Sequence, residues 1–248
     1  MAVLITRPDE RGKQLVDWLN QAGIVALYLP LFNIEAGAEL ADLPTKLAQL
    51  KEGDYVLAVS KSAVDFAAKT LNDTGFHWRK DLHYFTVGHR TAQYFACQTE
   101  GTVRYPLSVE TSEGLLNLPA MQNLNNKTVL ILRGNGGREY FAQQAKLRGA
   151  QIEYLECYHR TPICYNNEEQ ASVCKRSGVQ TIVATSLETV RALLELVPET
   201  EHPWLKDCRL VTVSRRIANF AEQIGWKRTI IAPRADNQSL LDILLEIK

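Results

Sequence analysis

Short apolar runs rich in β-branched residues alternate along this chain with segments whose apolar residues recur every three or four positions. Strands buried on both faces read as near-continuous apolar runs, and such runs separated by amphipathic helices are the mark of parallel α/β structure. The pattern predicts strands at Val3–Thr6, Ile24–Ile34, Tyr55–Val59, Tyr84–Val87, Thr102–Tyr105, Thr128–Leu132, Gln151–Tyr158, Thr181–Thr185, Leu210–Val213 and Thr229–Ala232. Helices fill the intervals. In Arg11–Gln21, Leu15, Trp18 and Leu19 lie at i, i+3 and i+4, and Gly23 follows where a left-handed cap would end the helix. Breaker-rich stretches at Asn33–Ala41, Pro106–Ser112, Leu118–Asn126 and Thr161–Glu169 predict loops.

The pattern also repeats. Val3–Arg7 falls on Val129–Arg133, 126 positions on. The same shift places Gly23 on Gly149, Tyr28 on Tyr154, Ser60 on Ser186, Thr86-Val87 on Thr212-Val213 and Arg90 on Arg216. A duplication of this length predicts two similar lobes, and clefts between domains are where small molecules tend to bind. The segments Tyr28–Ile34 and Tyr154–Arg160 lie at equivalent places and run into irregular sequence, as extended connectors would. Ten strands argue against a single eight-stranded barrel and for two open sheets.

Charge narrows the partners. Lys plus Arg is 28 and Asp plus Glu is 28 in 248 residues, so the whole molecule makes no electrostatic case for nucleic acid or a membrane surface. Five scattered cysteines without a CxxC pair argue against a disulfide framework and a zinc site, and for a reducing cytoplasm. The apolar start is cut short by Arg7-Pro8, which fits neither an export signal nor a membrane span.

In open parallel sheets ligands lie beyond the carboxyl ends of the strands. Those ends read Thr6-Arg7-Pro8, Ser60-Lys61-Ser62, Gly88-His89-Arg90-Thr91, Arg133-Gly134-Asn135-Gly136-Gly137-Arg138, Thr185-Ser186 and Ser214-Arg215-Arg216. Hydroxyls, glycines and arginines suit an oxyanion-rich ligand held by helix N-termini and guanidinium forks. Ser60, Thr91, Ser186 and Ser214 equally suit helix N-caps. The Arg133–Glu139 loop admits three readings: an anion loop, a structural tight turn, or a dinucleotide loop that lacks its last glycine because Glu139 stands there. Tyr158, at the end of a connector where its repeat mate is Phe32, can present its phenol to a cleft or sit half-buried. His89 and His159 have no carboxylate partner visible in sequence and read as surface or capping residues.

These pieces together resemble the uroporphyrinogen-III synthase family. The likeness rests on Thr6-Arg7-Pro8, Ser60–Val64, Thr86–Ala92, Thr111–Leu116, Val129–Glu139, Tyr158-His159-Arg160 and Thr212–Ala218, in order and at matching spacing. It implies an α/β fold of two similar open parallel-sheet, flavodoxin-like domains joined by a two-stranded β connector. Residues 1–31 and 163–248 would form one domain, 37–156 the other, and 32–36 with 157–162 the connector. It implies a lyase that cyclises hydroxymethylbilane with loss of water and inversion of ring D, without a cofactor or metal, in the interdomain cleft. Tyr158 matches the family's proposed proton donor. The polycarboxylate substrate would be held by Arg7, Ser60, Ser62, Gly88, Thr91, Arg133, Gly134, Arg138, Ser186, Ser214 and Arg216. The chain departs from the family pattern at Ser62 and at Ser214-Arg215-Arg216. The resemblance further implies a cytoplasmic monomer, in transient contact with the preceding pathway enzyme. The residues alone leave two other classes open, a two-lobed small-anion binding protein and a nucleotide-dependent transferase.

Overall fold

The computed structural model describes residues 2–247. In chain order the elements are β1 (Ala2–Ile5), α1 (Asp9–Gln21), β2 (Val25–Tyr28), β3 (Phe32–Ala36), α2 (Leu43–Gln49), β4 (Tyr55–Ala58), α3 (Lys61–Thr74), β5 (His83–Thr86), α4 (His89–Thr99), β6 (Val103–Arg104) and α5 (Ser112–Leu116). There follow β7 (Thr128–Gly134), α6 (Tyr140–Leu147), β8 (Gln151–Pro162), α7 (Asn167–Arg176), β9 (Val179–Val183), α8 (Leu187–Leu196), α9 (His202–Asp207), β10 (Arg209–Thr212), α10 (Arg215–Gln223), β11 (Thr229–Ile231) and α11 (Asn237–Glu246).

The chain divides into two compact units, one running to Ile34 and resuming at Thr161, the other spanning Glu35–Arg160. In the first unit five strands form an open, parallel sheet in the order β11-β10-β9-β1-β2. Alternate residues of β1 explain its two-sided burial. Ala2 and Leu4 join Ile182, Leu193 and Leu210 on one face, while Val3 and Ile5 join Leu15, Leu19, Val183, Val211 and Leu240 on the other. A strand covered on both faces can be apolar throughout, which is why β1 reads Ala-Val-Leu-Ile.

In the second unit the order is β3-β8-β7-β4-β5-β6, with the run from β8 to β6 parallel. Tyr55, Leu57, Phe85, Val129 and Ile131 pack on Leu115 of α5 and on Phe141 and Ala145 of α6. Neither strand order closes on itself, which excludes the barrel.

Predicted and observed elements differ in several places: the loop expected over Leu118–Asn126 holds a 3₁₀ turn at Pro119–Met121, and that expected over Thr161–Glu169 holds the end of β8 and the start of α7. The single strand expected over Ile24–Ile34 is two, β2 and β3, interrupted at Leu29-Pro30-Leu31. Leu29 N–H gives the last bond of the β1 ladder, to the Ile5 carbonyl at 2.9 Å, proline has no N–H to continue it, and beyond it the Leu31 carbonyl accepts from Ile163 N–H at 3.0 Å. The loop expected over Asn33–Ala41 is instead the end of β3 and a turn of 3₁₀ helix at Ala38–Asp42. Gly37 joins them, donating to the Cys157 carbonyl at 3.0 Å, and a Cβ there would lie 2.1 Å from the Glu156 carbonyl oxygen.

Candidate active site

A parallel sheet opens a crevice where consecutive connections depart in opposite directions. In the second unit that point lies between β4 and β7, whose outward chains lead to β5 and to β8. Ser60 follows β4 and Gly134 ends β7, so both stand at the mouth of the crevice. In the first unit the equivalent point lies between β1 and β9, beside Arg7 and Ser186.

Tyr158 belongs to the second unit's crevice through a bulge. Arg133 pairs with Glu156 but Gly134 with Tyr158, leaving Cys157 as the extra residue, and such insertions re-aim the side chains beyond them. Tyr158 is 4% exposed. It lies near-parallel to Phe66 of α3, centroids 6.3 Å apart, and its hydroxyl accepts a 3.1 Å hydrogen bond from Ser60 Oγ. Arg160 holds its guanidinium 5.9 Å from the ring centroid.

Ser60 is also the N-cap of α3, accepting from Ala63 N–H at 3.2 Å. Ser62 is half-buried in the first turn of that helix. Gly88 is the N-cap of α4, so Thr91 lies inside the first turn, half-buried, and is not the cap. A carboxylate already sits at this helix end: Glu110 Oε2 accepts from His89 N–H at 3.1 Å.

The loop after β7 is likewise served by the chain's own acids. Arg133 pairs with Glu139 and lies over the Tyr154 ring at 5.1 Å, while Tyr154 donates to Glu139 at 2.6 Å. The phenol and then the guanidinium hold the Glu139 carboxyl below its ordinary range. Burial, and then that carboxylate, push the Tyr154 hydroxyl up to about 12. Arg138 grips Glu113 through both terminal nitrogens at 3.0 and 2.5 Å and lowers its carboxyl, and lies 4.5 Å over Tyr140. The next amide in the loop, that of Asn135, donates to the Tyr158 carbonyl at 3.1 Å.

In the first unit Arg7 is 5% exposed and donates to Asn237 Oδ1 at 2.8 Å. Asn237 in turn donates to the Arg11 carbonyl and to Gln14 Oε1, tying the end of β1 to α1 and α11. Ser186 and Ser214 cap α8 and α10, accepting from Thr189 N–H at 3.1 Å and Ile217 N–H at 3.4 Å. Arg216 is exposed in the first turn of α10. Just before that helix, the buried Thr212 hydroxyl has no hydrogen-bond partner among the described residues, whereas its repeat mate Thr86 donates to the Gly88 carbonyl at 3.0 Å.

His159 does have carboxylate neighbours, contrary to the sequence reading: Glu35 at 3.2 Å from Nε2 and Glu156 at 3.8 Å from Nδ1. Glu35 is far away in sequence and is brought there by β3 pairing with β8. The His89 ring leans on Tyr105 at 5.2 Å. Sequence also missed Phe66 and Glu110 as neighbours of the site, since each reaches it through the fold and not through a motif, and gave no role to Glu113 although it stands in the Thr111–Leu116 segment.

Two cavities, of about 370 and 210 Å³, lie elsewhere, at the amino ends of β9 and β10 and of β5 and β6. Among the described residues no helix is long and apolar enough to cross a membrane.

The family model for uroporphyrinogen-III synthase HemD matches residues 13–242. Uroporphyrinogen-III synthase of Salmonella typhimurium is 43% identical over 98% of this chain and all of its own length, and that of Escherichia coli 39% over the same shares. Among solved structures, a mutant uroporphyrinogen III synthase from Thermus thermophilus superposes with a TM-score of 0.70 at 17% identity, covering both chains completely. The enzyme from Helicobacter pylori gives 0.61 at 14%, covering 100% of this chain and 99% of its own. By the span of the family model and by identity over nearly its full length, this chain belongs to the uroporphyrinogen-III synthase family.

Proposed function

We propose that this protein is a lyase that cyclises hydroxymethylbilane to uroporphyrinogen III, with loss of water and inversion of ring D. The observation that carries the reading is the 43% identity to a uroporphyrinogen-III synthase over 98% of this chain and all of the relative. Loss of the hydroxymethyl oxygen leaves a delocalised azafulvene cation and needs a proton at the departing hydroxyl, while the reactive ends must be held together. Tyr158 is the proton donor or the stabiliser of that leaving group. Its support is position: the phenol oxygen is bonded to Ser60 at the carboxyl end of β4, beside the crevice.

The substrate's carboxylates are met by Arg7, Ser62, Gly88, Thr91, Arg133, Arg138, Ser186, Ser214 and Arg216, with Ser60 and Gly134 next to the phenol. The two units arose by duplication. Under the offset of 126, β1, β2, β4, β5 and β6 correspond to β7, β8, β9, β10 and β11. The resulting strand orders, β2-β1-β9-β10-β11 and β8-β7-β4-β5-β6, are then the same. The enzyme works as a cytoplasmic monomer, domains 1–31 with 163–248 and 37–156 joined by the β3 and β8 connectors.

Freshly prepared hydroxymethylbilane, oxidised after reaction, distinguishes the products: the type III isomer is expected, and type I alone would overturn the assignment. Tyr158→Phe is expected to lower kcat by roughly 100-fold, the scale of one general acid, with KM moving by less than about threefold. Unchanged kcat would move the proton-donor role elsewhere.

A further inference from the structure

Gly134, Phe66 and Ser60 enclose Tyr158. Gly134 faces the ring so closely that a Cβ there would stand 2.6 Å from Tyr158 Cε2 and 2.7 Å from Cζ. Phe66 closes over the ring at 6.3 Å with a 21° tilt. Ser60 Oγ uses its single proton on the Tyr158 hydroxyl and a lone pair on Ala63 N–H.

We propose that Ser60 is a positioning residue for Tyr158, and that Gly134 is a glycine because the phenol ring takes the place of its side chain. This rests on the reading of Tyr158 as the group that serves the leaving hydroxyl. The chemistry follows from the direction of the bond. Because Ser60 donates, the phenol keeps its own proton for the substrate, and the same bond stabilises negative charge on the phenol oxygen as that proton leaves. Ser60 is itself fixed as the cap of α3, so the helix sets where the phenol oxygen lies. Ser186 has the same capping geometry at the equivalent repeat position, but its further hydroxyl contact is Thr189 at 2.8 Å. The cap is common to both units and the phenol contact belongs to one.

A double-mutant cycle separates positioning from helix capping. Ser60→Ala is expected to lower kcat about tenfold with KM within about twofold, and Ser60→Thr, which keeps the hydroxyl, to restore most of the loss. In a Tyr158→Phe background there is no phenol oxygen to hold, and Ser60→Ala is expected to change kcat by less than about twofold. Gly134→Ala leaves the α3 cap intact and should show the same dependence on background, so the test survives a Ser60→Ala protein that does not fold. Equal losses in both backgrounds, or no loss in the wild-type background, would overturn the proposal. Tyr158→Phe with unchanged kcat would instead overturn the reading of Tyr158 on which it rests.

Discussion

Glu113 and Glu139 change what Arg133, at the end of β7, and Arg138, in the loop beyond it, have to offer a substrate. The sequence shows Arg133 and Arg138 flanking a glycine loop, and from residue type alone they read as free forks for oxyanions. Folding gives both a partner: Glu139 at the far end of the loop for Arg133, and Glu113 from α5 for Arg138. The hydroxyls fared otherwise. Ser60, Ser186 and Ser214 were legible as caps from their place between a strand and a helix, and all three cap. What could not be read is the Ser60 bond to Tyr158, because it depends on the bulge at Cys157. The Arg138 pair lies on the surface, so its removal costs little stability, and its effect should appear in binding. Arg138 holds the Glu113 carboxyl below its ordinary value; the pair is therefore fully charged above that value and is lost only as the pH falls below it. If Arg138 holds a substrate carboxylate, as proposed, that carboxylate competes with Glu113 for it at neutral pH. Glu113→Gln is expected to lower KM by roughly two- to fivefold at unchanged kcat, as initial rates over a substrate series would show. A raised KM would mean that Glu113 orients Arg138 for the substrate and does not compete with it.

At the scale of elements, periodicity located the parallel strands because each is buried by a helix on at least one face, and the apolar run records that burial. Their ends were less legible. Nothing local announces that β7 extends to Gly134 and β8 to Pro162, since these extensions are held by partners from other parts of the chain. Gly37 illustrates the limit: in sequence it is one breaker among several, whereas in the fold it is the point where the turn after β3 rests on the backbone of β8. Its φ is an ordinary extended −73°, so conformational freedom is not the reason for a glycine. Space is. Gly37→Ala forces a methyl into the Glu156 carbonyl and should destabilise the protein by about 2–3 kcal/mol, the upper range for overpacking against backbone. Urea denaturation followed by circular dichroism would show this as a lowered midpoint at constant slope. An unchanged midpoint would show that β3 shifts away from β8 freely.

At the scale of the molecule, cysteine number and spacing were legible, but the burial of each thiol was not. All five are free thiols, Cys97 and Cys164 exposed and the other three buried, Cys157 in one unit and Cys174 and Cys208 in the other. Cys157 lies at 0% exposure in the bulge of β8, and Cys174 and Cys208 pack in one cluster with β9 and β10. Burial pushes the Cys157 thiol up to about 12, and those of Cys174 and Cys208 to about 11. The neutral thiol is thus the native form. Below the ordinary value of about 9 these groups are protonated folded or unfolded and leave stability unchanged with pH. As the pH rises from there towards 11–12 only the unfolded chain ionises, so stability falls. Because the thiolate is the nucleophile, the same burial governs reactivity. Iodoacetamide on the native protein at pH 8 should label Cys97 and Cys164 rapidly, and the three buried cysteines only as fast as their surroundings open. Peptide mapping during the reaction reads each site separately. Cys157 labelled as fast as Cys97 would show that the β8 bulge opens on its own, which would also release the strand that carries Tyr158.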